Sequence, residues 1–292
     1  MQEIIRNNQK PKMIPRWIHL PSVLVIISLA FIFHSLFGQW GGSNEGDWKP
    51  DWSYPKNFES DTFTFVRVKY DSFDDYGRFG AKWKIDHPQA ENNLAYRLTQ
   101  MTSLKVNPQS LALELTDKKL KDYPFIYMVE PGGVMFSSDE VEALKDYLLN
   151  GGFMMVDDFW GDFQWQNFQA QMQKVFPDRP IIDIGLEHEI FNTVFPLNET
   201  LSELPQIPNV QTGYESQFTG VTWESRHNPG ARDVHYRAIL NDEGRIMVMI
   251  CHNTDLGDGW EREGEDEYYF REFSEKKAYP LGINIIVYAM TH

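Results

Sequence analysis

Asp157 and Asp158 stand side by side after the short apolar run Phe153 to Val156. Two adjacent carboxylates can hold a hard metal ion, or split their pKa values so that one acts as acid and the other as base. Alternatively, one caps the following helix and the other is solvated. On residue types alone both readings stay open. Trp160, close behind them, offers a face for stacking on a sugar or a cover for the sheet edge, the commoner use. Asp255, Asp258 and Glu261 place an acid at every third position among glycines. Such a segment could wrap a cation with oxygen ligands, but the register is not that of an EF-hand loop. The expectation is therefore a tight turn with exposed acids. His252 ends a late apolar run and could carry a proton.

The elements that must position these groups read as alternating strands and helices. Thr62 to Tyr70 is β-branched and aromatic, as suits a first strand. Pro88 opens a helix with the stripe Leu94, Leu98 and Met101. Phe125 to Val129 and Phe153 to Val156 are continuously apolar, as strands buried on both faces are. Ser137 and Glu140 form a capping-box pattern ahead of Val141, Leu144 and Leu148, and Gly151-Gly152 stop that helix. Trp165, Phe168, Met172 and Val175 mark a further helix. Strands are expected at Pro180 to Ile184, Val234 to Leu240 and Arg245 to Ile250, and a buried helix at Leu281 to Met290. The alternation predicts an α/β fold with a mainly parallel sheet. In such a sheet ligands bind beyond the carboxyl ends of the strands, which is where Glu130, Asp157, Asp158, His252 and Asp255 fall. The long connection Asp71 to His87, with Phe73, Tyr76, Phe79 and Trp83 beside Asp74, Asp75 and Arg78, has the make-up of a binding loop.

Composition narrows the function classes. The 292 residues carry 27 Lys and Arg against 42 Asp and Glu, a net charge of -15 that repels phosphate backbones and argues against nucleic-acid binding. A single cysteine excludes an internal disulfide and Cys-rich metal frameworks. The histidines are scattered, without HExxH spacing, which argues against a zinc site. No GxSxG, P-loop or GxGxxG motif occurs.

The N-terminus gives an address. Arg6, Lys10, Lys12 and Arg16 precede the apolar stretch Trp17 to Phe37, whose 21 residues suffice to span a bilayer. Leu36 fits a signal cleavage site after Gly38 poorly, so an uncleaved anchor is read slightly ahead of a cleaved signal. Basic residues before the stretch keep that end cytoplasmic, and the body is then expected outside the membrane, in the periplasm. The organisation read is a signal or anchor over 1–38, a polar linker over 39–60 and one domain over 61–292.

Four segments, YMVEPGG (Tyr127 to Gly133), GGFMMVDDFWG (Gly151 to Gly161), HNTDLGDGWE (His252 to Glu261) and LGINIIVYAMTH at the C-terminus, resemble the bacterial domain-of-unknown-function family 4159. The Trp83, Asp86, Pro88 pattern and VFPDRPI (Val175 to Ile181) fit it too. The resemblance implies a class I glutamine amidotransferase-like, flavodoxin-like fold with a doubly wound sheet, close to ThuA-like proteins. An HxIF segment, His188 to Phe191, fits the same order. It also implies an envelope partner in systems of MoxR-type ATPases and von Willebrand A-domain proteins. Active amidotransferases carry a cysteine at the strand-to-helix turn where this chain has Asp157 to Trp160, so classical amidotransfer is rejected. Cys251, in a late strand, reads as a small buried hydrophobe.

Two functions remain, of which the first is preferred and the second is the alternative. One is a degenerate amidotransferase-like domain that binds a partner or small ligand at the cell envelope, with Glu130, Trp160, Trp83, Asp86 and His188 as ligand-binding candidates. The other is an acid-based, metal-assisted hydrolase of a glycan or related envelope substrate. There Asp157, Asp158 and His252 are the catalytic candidates and Asp255, Asp258 and Glu261 the metal candidates. No cofactor is assigned; a divalent metal is compatible with the acids.

Overall fold

A computed structural model of the protein describes residues 62–75, 80–227 and 229–292, all within the unit Asp51–His292. The expected N-terminal signal or anchor, the linker, and Tyr76, Arg78 and Phe79 of the long connection lie outside the described residues. Among the described residues no helix is long and apolar enough to cross a membrane.

The strands are β1 (Thr62–Phe63), β2 (Val66–Lys69), β3 (Lys105–Val106), β4 (Leu111–Glu114), β5 (Phe125–Val129), β6 (Phe153–Phe159), β7 (Ile182–Asp183), β8 (His235–Leu240) and β9 (Ile246–His252). Seven of them form a sheet in the order β4-β2-β5-β6-β9-β8-β7. The first five are mutually parallel, β8 runs antiparallel to β9, and β7 antiparallel to β8. The fold is thus α/β with a mostly parallel, mixed sheet. The stretch expected as one strand is two. β1 pairs with β3 in a separate two-stranded sheet, and β2 joins the main one. The strand expected at Pro180 to Ile184 shortens to the two residues of β7 at the sheet edge.

The helices are α1 (Gln89–Met101), α2 (Ser138–Leu149), α3 (Gly161–Val175), α4 (Leu197–Thr200), α5 (Val210–Thr219), α6 (Leu256–Glu261), α7 (Glu267–Tyr269) and α8 (Tyr279–Thr291), with π-helical Phe270–Ala278 joining the last two. Alternation along the strands divides the core. Phe125, Tyr127, Phe153 and Met155 face Leu94 and Leu98 of α1 and Leu281 and Ile285 of α8. Ile126, Met128, Met154 and Val156 face Leu144 and Leu148 of α2 and Phe168 and Met172 of α3. Each such side chain contributes about 1.5–3 kcal/mol through burial, so the parallel strands are clamped between two apolar layers. The capping box at Ser137 and Glu140 is present. Met101 is the exception in the α1 stripe, lying exposed at the helix end.

The chain starts the main sheet at β2, places β4 on one side, then crosses to put β5 on the other. The reversal leaves a crevice beyond the carboxyl ends of β2 and β5, the place where open α/β sheets bind ligands.

Candidate functional site

Four residues other than glycine have left-handed backbone among the described residues: Asp86 (φ 62°), Glu130 (φ 45°), Asp158 (φ 55°) and Asn253 (φ 62°). Each follows or ends a segment at the carboxyl edge of β2, β5, β6 or β9. Such conformations cost about 1–3 kcal/mol apiece and persist where surrounding contacts impose them.

Asp86 is imposed by Arg67. This guanidinium is fully buried in β2, pairs with Glu91 of α1, and donates to the carbonyls of Trp83 (3.1 Å) and Ile85. It therefore fixes the chain on either side of Trp83 and just before Asp86. Burial opposes the charge on Glu91, but Arg67 overcomes that and holds the carboxyl below its usual range. The sequence carried a signal for this pair, since Arg67 is a charge in the middle of a hydrophobic strand pattern.

Asp157 has a different task. Its Oδ2 accepts from Tyr127 Oη (3.0 Å) and from the backbone N–H groups of Leu256 (2.9 Å) and Gly257 (3.0 Å). It thus docks the first turn of α6 onto β5 and β6, while its buried Oδ1 has no hydrogen-bond partner. Burial pushes this carboxyl up to about 7 against those donors. Asp158 turns away from this clamp through its positive φ, and its Oδ1 accepts from Trp160 Nε1 (2.9 Å). Trp160 is itself only 3% exposed, so it covers the strand end and offers no face to a ligand.

Asp255, Asp258 and Glu261 are not an exposed turn. They sit on and just before α6, with Asp255 and Asp258 buried and Glu261 partly so. Asp255 caps the helix by accepting from Asp258 N (2.7 Å), and its own N–H donates to the carbonyl of Ile207 (2.8 Å). What buries the segment is the Asp157 clamp, which spacing within the segment cannot reveal.

Asp86 is where the acids meet. One ligand oxygen each from Asp86, Asp158 and Asp255 lie within 4.8 Å of one another, and the same holds for Asp86, Asp258 and Glu261. The two groups differ in compensation. Arg262 Nε lies 2.6 Å from Glu261 Oε2 and 3.4 Å from Asp258 Oδ1. Among the described residues no Lys, Arg or His forms an ion pair with Asp86, Asp158 or Asp255. Burial first, then repulsion from neighbouring acids, pushes all three carboxyls well above the ordinary range, although Arg67 and Arg262 pull Asp86 back in part. Asp258 is pushed up to about 7, chiefly by burial.

Gly257 leaves room at this meeting point. A side-chain carbon there would stand 2.7 Å from Asp86 Oδ2, 3.1 Å from Tyr127 Oη and 3.4 Å from Asp255 Oδ1. The donor set is all oxygen, which suits a hard divalent cation such as Ca²⁺, Mg²⁺ or Mn²⁺ and not a thiolate- or imidazole-seeking metal. The cradle over Gly257 and the three buried acids, which have no ion-pair partner among the described residues, fit such an ion.

The other candidates separate. Glu130 lies at the rim, where its carboxylate pairs with Lys82 and its N–H donates to Asp157 O (3.0 Å). Trp83 packs beside the core on the α2/α3 face, with Lys69 Nζ 5.4 Å from its ring centre. His252 points to the opposite sheet face from Asp157 and packs at a tilt against Phe159 and Trp165. Its Nε2 lies 3.2 Å from Gly161 O and its Nδ1 3.1 Å from Arg237 Nη1, the pattern of a neutral ring. Burial, with Arg237 adding to it, lowers its pKa to about 3, so it carries no proton near neutrality. His188 caps the turn Glu189–Phe191 and lies near Tyr288, whose hydroxyl meets Ile246 at the amino end of β9. It is therefore at the wrong end of the sheet for this site. Cys251 is fully buried, and burial raises its thiol well above the usual range, as expected for a packing residue.

Residues 64–290 match the family described as Domain of unknown function (DUF4159). The chain belongs to this family. No curated protein matches it. The DUF4159 match spans Arg67, Asp86, Asp158 and α6, so the whole acidic site lies within the family domain. Tyr127, Gly257, Lys82 and Arg262 complete the site without having been singled out in the sequence. Only Tyr127 had a local signal there, a hydroxyl within an otherwise apolar strand.

Proposed function

We propose that the DUF4159 domain holds one divalent cation between Asp86, Asp158 and Asp255 and works as a metal-assisted hydrolase on an envelope substrate. The observation that carries this is the convergence of three buried carboxylates with no ion-pair partner among the described residues, beside Asp258 and Glu261, which pair with Arg262. A cation bound there supplies Lewis-acid polarisation of a substrate oxygen. Tyr127 and Asp157 hold α6, and with it Asp255, against β6. Arg67 and Glu91 hold the segment that ends at Asp86. The strand order supports a flavodoxin-like, amidotransferase-like sheet that has replaced its nucleophile turn with acids. The basic-then-apolar N-terminus supports placement outside the cytoplasmic membrane.

A second reading, docking of an envelope protein partner such as a component of a MoxR or von Willebrand A-domain system, is favoured by one observation. Phe73 and Phe163 are exposed and pack edge to face at 6.2 Å, close to the carboxyl edge.

Thermal unfolding of the full-length chain with Mn²⁺, Mg²⁺, Ca²⁺ or chelator tests the first reading. A cation at 100-fold its dissociation constant stabilises by about 2.7 kcal/mol. The proposal expects that shift, and its loss in Asp158→Asn with the fold retained. No shift with any of the ions leaves partner docking as the better reading.

A further inference from the structure

Lys82 is linked to the acidic site through Glu130 and Asp157, and it has a fixed backbone mount. Its backbone N–H donates to Asp75 Oδ1 (2.7 Å), and the other oxygen of that carboxylate accepts from Ser72 N (3.0 Å). Its ammonium pairs with Glu130. That residue is fixed in turn by its N–H on Asp157 O and by the Tyr70 hydroxyl on its carbonyl (2.9 Å). Both members of the pair are about a quarter exposed, with side-chain accessibilities of 27% and 23%. The field at Lys82 comes from Glu130 first, then Asp74 and Asp158, and together these outweigh burial and strengthen its hold on its proton. An ammonium has three N–H donors and a flexible four-carbon stem, and the Glu130 contact uses one donor. In a domain with so many more acids than bases, this puts a positive charge on the residue whose N–H is bonded to Asp157 O, next in the chain to Asp158, which has no ion-pair partner among the described residues.

We infer that Lys82 is a built-in competitor of the cation, parked on Glu130 and able to turn its ammonium to Asp158. This rests on the cation reading above and assigns that site its regulation. Glu130 then sets how much of the time Lys82 faces the acids. Anything that draws Lys82 toward Asp158 weakens the cation, and the cation in turn pushes Lys82 onto Glu130, because coupling between two sites is reciprocal.

Calorimetric titration of the full-length chain with Mn²⁺ alone, in wild type, Lys82→Met, Lys82→Arg, Glu130→Gln and the Lys82→Met/Glu130→Gln double variant, tests this. The expected result is affinity raised about tenfold by Lys82→Met, little changed by Lys82→Arg, and lowered about fivefold by Glu130→Gln, within the usual span of coupling between sites. The double variant distinguishes competition from simple loss of negative charge. If Lys82 competes, Glu130→Gln has no effect once Lys82 is gone; if Glu130 only adds field, its loss weakens binding equally in both backgrounds. Equal loss in both backgrounds, or unchanged affinity in Lys82→Met, overturns the competitor while leaving the cation site standing. Binding by Lys82→Met but not by wild type supports both. Absence of binding in every variant overturns the cation reading and this one with it.

Discussion

Gly257→Ala separates the cation site from ordinary helix stability. In an exposed helix interior this substitution gains about 1 kcal/mol from backbone entropy. In α6 the new methyl would stand 2.7 Å from Asp86 Oδ2 and 3.1 Å from Tyr127 Oη, inside normal contact. The phenol cannot retreat, because its oxygen is bonded to Asp157 (3.0 Å), so the Asp86 carboxylate must swing away. Overpacking of this kind costs about 1–3 kcal/mol, which roughly cancels or modestly exceeds the helix gain. Cation affinity responds differently. Removing one of three carboxylates from its place is expected to weaken Mn²⁺ by at least about 100-fold, equivalent to about 2.8 kcal/mol. Urea unfolding in chelator and in saturating Mn²⁺ reads both quantities. The expected pattern is a midpoint in chelator near or somewhat below that of wild type, and almost no added stability from Mn²⁺. A variant stabilised by about 1 kcal/mol that binds Mn²⁺ as wild type does would refute the argument.

Other outcomes follow from the same contacts. Asp157 and Asp258, with pKa near 7 when folded, hold protons that the unfolded chain has released near pH 4. The folded state then binds more protons than the unfolded one across that interval. Metal-free stability should therefore be full below about pH 4 and fall as pH rises through about 7, by up to about 1.4 kcal/mol per pH unit for each extra proton held. Chelator-treated protein melted at a series of pH values checks this, and stability rising over that window would contradict it. Added Mn²⁺ should stabilise more strongly at pH 8 than at pH 5, since binding must expel protons. Asp157→Ala strands the Tyr127 hydroxyl and two α6 N–H groups and should cost about 3 kcal/mol or more; Asp157→Asn, which keeps an acceptor, should cost clearly less in the same urea assay. Arg67→Met leaves the buried Glu91 with His87 (3.2 Å) alone in place of the guanidinium and should cost about 3–5 kcal/mol, with part of it regained in Arg67→Met/Glu91→Gln.

The core was legible because its signals are local. Phe125 to Val129 and Phe153 to Val156 read as buried strands from continuous apolarity, and Ser137 with Glu140 read as a helix start from capping chemistry. The first strand misread as one because Thr62 to Tyr70 keeps its β-forming composition throughout, whereas the break near Thr64 is set by which sheet each half pairs with. Asp158 was reached from its own neighbours, and Asp86 only through the family pattern, because its place depends on Arg67 gripping the carbonyls of Trp83 and Ile85 from another strand. The acids of α6 looked solvated since glycine-rich acidic stretches usually are. Their burial comes from Asp157, about 100 residues earlier in the chain. His252 and His188 were drawn in by residue type and by family order, but the first faces the other side of the sheet and the second its other end.

The central claim is that Asp86, Asp158 and Asp255 together hold a cation. Crystals of the protein soaked in Mn²⁺ and measured at a wavelength where manganese scatters anomalously test it directly. One strong peak with oxygens of all three carboxylates at about 2.0–2.6 Å is expected. A peak confined to Asp258 and Glu261, or no peak while the three carboxylates keep their places, would contradict it.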